Sequence, residues 1–244
     1  MPYPTRPSQI AVIPREEFLA ERWHHKKGQH VTLLGATQSG KTTLAFQLLE
    51  HSCSPAVPGV VMCMKNRDQT VTDFIKRTGW KRVSRLPTTR LRWWEEKPSG
   101  HVVWPRLPGD PDEDDAVLDD AMTHATLWTY KKGDRNLFSD EASGLAELSP
   151  RIKRAQRAIW ARGASHGAAN WAASQRPVAI DHLAYNGAEH LFLAYEADAQ
   201  NRKRYGEIGG GQNPKLIEAT TAGLGPYYWL YLRKSDRTLC IITP

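Results

Sequence analysis

Gly35-Ala36-Thr37-Gln38-Ser39-Gly40-Lys41-Thr42 fits the pattern G-x-x-x-x-G-K-[ST] at every defined position. Before it, His30-Val31-Thr32-Leu33-Leu34 reads as a buried strand; after it, Thr43-Leu44-Ala45-Phe46-Gln47-Leu48-Leu49-Glu50 reads as a helix with an apolar face. Strand, glycine turn and helix in that order make the phosphate cradle known as the P-loop. Glycine permits backbone angles that a Cβ would forbid, so successive N–H groups can close around phosphates, and the helix N-terminus adds its partial positive charge. Lys41 is expected on the β- and γ-phosphates of a nucleotide, and the Thr42 hydroxyl on Mg2+, a small hard cation that otherwise keeps water and phosphate oxygens. Gly35, Ala36, Thr37, Gln38, Ser39, Gly40 and Thr43 are expected to line the same site.

Transfer of a phosphoryl group to water also needs a metal-ordering carboxylate and a group that orients and deprotonates the water. Leu137-Phe138-Ser139-Asp140-Glu141-Ala142-Ser143 supplies both in adjacent positions. On a strand end, Asp140 would hold the Mg2+ and Glu141 would face the γ-phosphate as general base. The apolar lead-in is short and carries Asn136 and Ser139, so a surface Asp-Glu pair is the competing reading. Further on, Ala168-Ala169-Asn170-Trp171-Ala172-Ala173-Ser174 reads as a strand of mostly small residues ending in Gln175, whose amide suits a sensor of the γ-phosphate or the attacking water. Between them, Arg151 to Gly163 is a strongly basic helix stopped at glycine.

The block Arg162-Gly163-Ala164-Ser165-His166-Gly167, followed by Ala172-Ala173-Ser174-Gln175-Arg176-Pro177, resembles the signature of the FtsK/HerA superfamily of P-loop DNA translocases. The order P-loop, Asp-Glu-Ala, Ser-Gln-Arg-Pro is similar too, and the resemblance covers roughly residues 30–195. It implies an ATPase that uses ATP and Mg2+ to drive duplex DNA through a homo-oligomeric ring, hexameric or, in some packaging relatives, pentameric. By position it implies Lys41 and Thr42 on phosphate and Mg2+, Asp140 and Glu141 as metal and catalytic acids, and Gln175 as sensor. It also implies an arginine acting in trans. Arg162, just before the sensor strand, is the first choice, with Arg157, Arg202 and Arg204 as competitors, and electrostatic capping of its own helix is the other reading of Arg162. The chain resembles the small stand-alone members found in phages and mobile elements, packaging motors among them.

Composition agrees with this without requiring it. The 244 residues suit one α/β domain with excursions, divided here as an arm and lead-in helix over 1–28 and a P-loop domain over 29–244. A net charge of +7 favours polyanionic partners such as nucleic acid, though surplus base also serves solubility. Three cysteines without C-x-x-C spacing suit a reducing compartment. No apolar run approaches the roughly 20 residues of a spanning helix, and Met1 to Pro7 lacks the apolar centre of a signal peptide, so a cytoplasmic protein without a membrane segment is expected.

Elsewhere, Pro14 is expected to open a lead-in helix, Val60-Val61-Met62-Cys63-Met64 and His101-Val102-Val103-Trp104 to be strands, and Asp112 to about Tyr130 a helix with acids in its first turn. Residues 71–97 interleave Arg77, Lys81, Arg82, Arg85, Arg90 and Arg92 with Trp80, Trp93 and Trp94, which reads either as a nucleic-acid contact or as a solvated basic face over core tryptophans. Glu189 to Tyr195 reads as a strand, Asp198 to Arg204 as the start of a basic helix, and Tyr227–Leu232 with Thr238–Ile242 as a closing hairpin whose aromatics are most simply core, with a stacking platform for bases as the alternative. The expected fold is α/β: a three-layer P-loop NTPase of the ASCE type, with a mostly parallel central sheet and a C-terminal antiparallel hairpin at its edge. The expected function is an ATP-driven DNA translocase or packaging motor. The alternatives are a P-loop kinase of a small molecule or nucleotide, and a slow ATP-binding switch or assembly protein.

Overall fold

The computed structural model describes residues 10–87, 97–175, 181–209 and 211–244. Strand β1 (Ala11–Pro14) leads into the helical turn α1 (Arg15–Glu17), which continues as a wider turn over Phe18–Arg22. Then follow β2 (His30–Leu34), α2 (Lys41–Ser52), β3 (Gly59–Met62), α3 (Gln69–Thr78), β4 (Lys81–Val83), β5 (Gly100–Val103), α4 (Pro111–Lys132) and β6 (Arg135–Ser139). The second half carries α5 (Ala142–Glu147), α6 (Pro150–Arg162), β7 (Ala168–Ser174), α7 (His182–Asn186), β8 (Ala188–Leu193), α8 (Ala199–Ile208), α9 (Pro214–Gly223), β9 (Trp229–Arg233) and β10 (Thr238–Thr243).

The strands make one sheet in the order β1-β10-β9-β8-β2-β7-β6-β3-β5-β4. Neighbours from β8 through β4 are parallel, and β9 runs antiparallel to both β8 and β10. This order positions the chemistry. β7 lies between β2 and β6, so the residue after β7 emerges between the P-loop after β2 and the carboxylates after β6. In an open parallel sheet the carboxyl ends of the strands form the ligand crevice.

Both faces of the sheet are covered, which is why β2, β3 and β7 are buried at every position and read as unbroken runs rather than alternations. On one face Val31 and Leu33 pack with Leu44, Phe46 and Leu48 of α2, Phe74 of α3, and Phe18 and Trp23 of the lead-in. On the other, Leu34, Leu191 and Leu193 lie with residues of α7, α8 and α9, while Val60, Met62 and Leu137 lie under α4, α5 and α6. Three layers result. Each large apolar side chain so buried contributes about 1.5–3 kcal/mol.

Trp80 takes the core alternative. It is 5% exposed, meets Phe74 edge-on with ring centroids 4.9 Å apart, and lies across Gly59 and Gly100, which face each other in register on β3 and β5. A Cβ built at Gly59 or Gly100 would come 2.1 or 2.3 Å from the Trp80 ring, so both positions must stay bare for the indole to seat. Arg90, Arg92, Trp93 and Trp94 lie outside the described residues, as do residues 1–9.

The hairpin β9–β10 forms as expected, with Trp229 and Tyr231 fully buried, but it is not the margin of the sheet. β1 pairs parallel with β10 beyond it, Ala11 opposite Cys240. Pro14 ends that strand and is also the N-cap from which α1 starts, because its fixed φ and missing N–H suit both places. Phe18 then packs edge-on against Phe192 and Tyr231, which brings the lead-in into the same core as the P-loop strand. Neither β4 nor α9 was visible in the sequence. β4 is only three residues long and carries Lys81 and Arg82 exposed, and α9 starts from a polar Gln212-Asn213-Pro214 turn.

Candidate active site

Gly40 caps α2 with a φ of 88°, a left-handed conformation that favours glycine, and Gln38 shares the left-handed region at 64°. The first intrahelical bond runs from Leu44 N–H to Gly40 C=O at 3.0 Å. The N–H groups of Lys41, Thr42 and Thr43 therefore have no carbonyl within the helix, the general condition of a helix start and the reason such starts bind anions. The Ser39 hydroxyl in the same loop is buried with no hydrogen-bond partner. Lys41 is 8% exposed, and its ammonium donates to the carbonyls of Gly35 and Ala36, each at 2.8 Å. Burial lowers its pKa, an effect that Asp140 and Glu141 partly offset. Phosphate oxygens entering the loop would satisfy this cation better than two neutral carbonyls.

Asp140 and Glu141 follow β6 directly, as the sequence predicts; the strand is short but buried from Asn136 to Ser139, which its polar residues concealed. The Thr42 hydroxyl donates to Asp140 Oδ1 at 2.6 Å. Two hard oxygen donors from the ends of adjacent elements suit a small divalent cation such as Mg2+ better than a soft metal. Glu141 accepts from the Ser143 hydroxyl at Oε1, 2.5 Å, and from Gln175 Nε2 at Oε2, 3.0 Å. Gln175 Oε1 in turn accepts from the Thr37 hydroxyl at 2.8 Å. A continuous chain thus runs from the P-loop through the Gln175 amide to the carboxylate.

Arg162 is not brought to this cluster. It is exposed at the C-terminal end of α6, its guanidinium carbon 5.8 Å from the centroid of Tyr130, and the chain then turns through Gly163–His166 into the start of β7. Seven residues of β7 separate that end from Gln175, about 23 Å at a strand's rise. Arg157 pairs with Asp181 at 2.8 Å, Arg202 donates to the carbonyl of Glu196 at 3.0 Å, and Arg204 pairs with Glu207 at 2.8 Å. Arg176 and Pro177 lie outside the described residues.

Two groups have no role of their own in the sequence, which sets Lys65 only among the charges of Lys65-Asn66-Arg67-Asp68 at a strand's carboxyl end, on the expected ligand edge, and Tyr227 only among the hairpin aromatics. Tyr195 and Tyr227, 46% and 54% exposed, flank a 420 Å3 cavity whose floor is Ala36, Thr37, Gln38 and Ser39. A Cβ at Gly40 would lie 3.2 Å from the Tyr227 ring, and Arg15 donates to the Tyr227 carbonyl at 2.7 Å. Tyr227 precedes β9 rather than belonging to it, and the Gly225-Pro226 turn before it was the available signal. The other is Lys65, whose ammonium lies 3.2 Å from Asp140 and 3.0 Å from Asp68. A larger cavity of 530 Å3, between Pro55, His101, Trp128 and Arg135, opens at the far end of the strands.

A P-loop after one strand, a carboxylate pair after a second and a glutamine after the strand between them define a P-loop NTPase fold. Solved structures agree. The DNA-packaging ATPase B204 from Sulfolobus Turreted Icosahedral Virus superposes with a TM-score of 0.58 at 17% identity, over 90% of this chain and 99% of that one. VirB4 of Thermoanaerobacter pseudethanolicus gives 0.62 at 10% identity, over 91% and 92%. The cytoplasmic domain of the Thermomonospora curvata Type VII secretion ATPase EccC gives 0.56 at 17%, over 86% of this chain and 24% of that one. These neighbours are ATPases of the FtsK/HerA type, the group the sequence resembles, and at such identities the fold is what they share with this chain. No protein-family model and no curated protein sequence matches it.

Proposed function

We propose that the chain is a motor ATPase of the DNA translocase and packaging kind, hydrolysing ATP to ADP and phosphate. The observation that carries this reading is the hydrogen-bonded chain Thr37–Gln175–Glu141, which couples the phosphate loop to a carboxylate placed as a base. A kinase that passes phosphate to a bound acceptor needs no such base facing water. Structures of the viral packaging NTPase in complex with AMPPCP and with ATP-gammaS add support for nucleotide at this fold position.

In this reading the P-loop N–H groups and Lys41 hold the phosphates, and the cavity between Tyr195 and Tyr227 takes the base by stacking. Thr42 and Asp140 would hold the Mg2+, whose chemistry is to neutralise charge on the phosphates. Glu141 orients a water and accepts its proton as the water oxygen bonds to the γ-phosphorus and the bond to the β–γ bridging oxygen breaks, releasing ADP. Gln175 reports phosphate occupancy at Thr37 to Glu141. The exposed side of α6, with Arg151, Lys153, Arg154 and Arg157, offers cations to a phosphate backbone without reading bases. Copies of the chain assemble as a ring, hexameric or pentameric, and Arg162, exposed and remote from its own site, is available to a neighbouring copy. Among the described residues no helix is long and apolar enough to cross a membrane.

The deciding measurement is steady-state ATP hydrolysis with and without long duplex DNA, at low and moderate salt, beside Glu141→Gln. The expected result is DNA stimulation that weakens with salt, and loss of turnover in the variant with ATP binding kept. Turnover retained in Glu141→Gln refutes the base, and turnover indifferent to DNA favours the kinase or the slow switch.

A further inference from the structure

The structure sets a lysine beside Asp140. β3 pairs with β6, Met62 opposite Ser139, so the segment after β3 emerges beside Asp140. That segment is fixed at its backbone: the Trp104 indole N–H donates to the Lys65 carbonyl at 2.7 Å. Its side chain is left to move, 60% exposed at the mouth of a 220 Å3 cavity that Asp68, Asp140 and Glu141 also line. The Lys65 ammonium bridges Asp68 Oδ2 at 3.0 Å and Asp140 Oδ2 at 3.2 Å. Asp68 is itself anchored, its other oxygen capping α3 by accepting from Val71 N–H at 3.0 Å.

Asp140 cannot serve two cations in the same way. With Thr42 on one oxygen and Lys65 on the other, it is neutralised from within the protein. A divalent cation held by Asp140 and Thr42 repels an ammonium a few ångströms away, and a four-carbon stem lets that ammonium swing while Asp68 keeps it local. Glu141, which lines the same cavity, is the carboxylate that the nucleotide reading sets at the γ-phosphate, so the ammonium has that side of Asp140 to turn to.

We propose that Lys65 is a cis-acting cation for the γ-phosphate, resting on Asp140 when the site is empty and turning, anchored by Asp68, to the terminal phosphate when a triphosphate is loaded. This rests on the nucleotide reading of the P-loop. It commits Lys65 to telling ATP from ADP, since ADP lacks the group it would meet.

The test is equilibrium binding of ATP-gammaS and of ADP, each with Mg2+ and with EDTA, to the wild-type chain, Lys65→Met, Lys65→Arg and Lys41→Ala. Loss of one charge-assisted contact corresponds to about a tenfold change. Lys65→Met is therefore expected to lose about that factor of its preference for ATP-gammaS over ADP, with ADP binding unchanged and a lower Mg2+ concentration at half-saturation. Lys65→Arg should recover part of the preference. If Lys65→Met keeps the wild-type ratio of the two affinities, the proposal is overturned, even where the Mg2+ midpoint falls, because Lys65 would then only neutralise Asp140. Failure of the wild-type chain to bind either nucleotide, or undiminished binding by Lys41→Ala, removes the P-loop reading instead. Circular dichroism melts of each variant identify misfolding, and Lys65→Gln replaces Lys65→Met should that chain not fold.

Discussion

Both oxygens of Glu141 are engaged, one by Ser143 and one by Gln175, and Gln175 is held on its other side by Thr37. As the proposed base, a carboxylate restrained this way depends on its positioning partners. Thr37→Val removes the donor that orients the amide, and kcat is expected to fall about tenfold with ATP affinity within a few-fold of wild type, as misplacement without loss of the base predicts; steady-state kinetics checks it. Tyr227→Ala should act oppositely, weakening ATP about tenfold through lost stacking while leaving tripolyphosphate unaffected, a pair of affinities that calorimetry compares directly. Lys41, Thr42, Asp140, Glu141 and Gln175 were legible because each sits at a fixed offset from a strand end. Lys65 was legible only as one of the charges that close a strand on the ligand edge, and Tyr227 only as a hairpin aromatic, because their approach depends on β3 lying beside β6 and on where β9 returns, pairings between distant segments that no local pattern encodes.

At the scale of elements, Trp80 shows how context misleads. Lysines and arginines around it suggested a ligand surface, yet its ring fills the groove left by Gly59 and Gly100 on adjacent strands. Trp80→Ala should cost about 3–5 kcal/mol, the usual penalty of an emptied aromatic site, read as a lowered urea midpoint; a variant as stable as wild type would return the tryptophan to the surface. The signal lay in the two glycines, which single-sequence reading treats as punctuation when they stand one in each of two future neighbours. α4, by contrast, declared both its ends: Asp110 accepts from the N–H groups of Asp112 and Glu113, and Lys131 and Lys132 occupy the last turn.

Across the whole molecule, His25 and His190 gather with Trp23, Trp171 and Tyr231, and His30, the first residue of the P-loop strand, meets Trp160 edge-on. Burial lowers the pKa of all three, His25 and His30 to about 4. Between pH 6.5 and 4 the unfolded chain takes up protons that the folded chain refuses, so stability must fall as pH drops through that window; the share of His25 and His30 levels off below it, while that of His190, depressed further, goes on falling. For His30 the loss at pH 5 is on the order of 2 kcal/mol, and thermal melts from pH 7.5 to 4 should show a falling midpoint. The same cluster bears on residues 1–28: a chain begun at residue 29 lacks Phe18 and Trp23 and is expected to lose cooperative unfolding. Finally, the sheet ends in β1 on one side, four residues closed by Pro14, and in β4 on the other, three residues bearing exposed Lys81 and Arg82. Among the described residues such margins are blunt, one four residues long and closed by proline, the other three residues long and charged, and poor templates for another strand. Copies of this chain are therefore expected to meet through loops and helix faces rather than through a shared sheet, joints of the kind that can slide and reset.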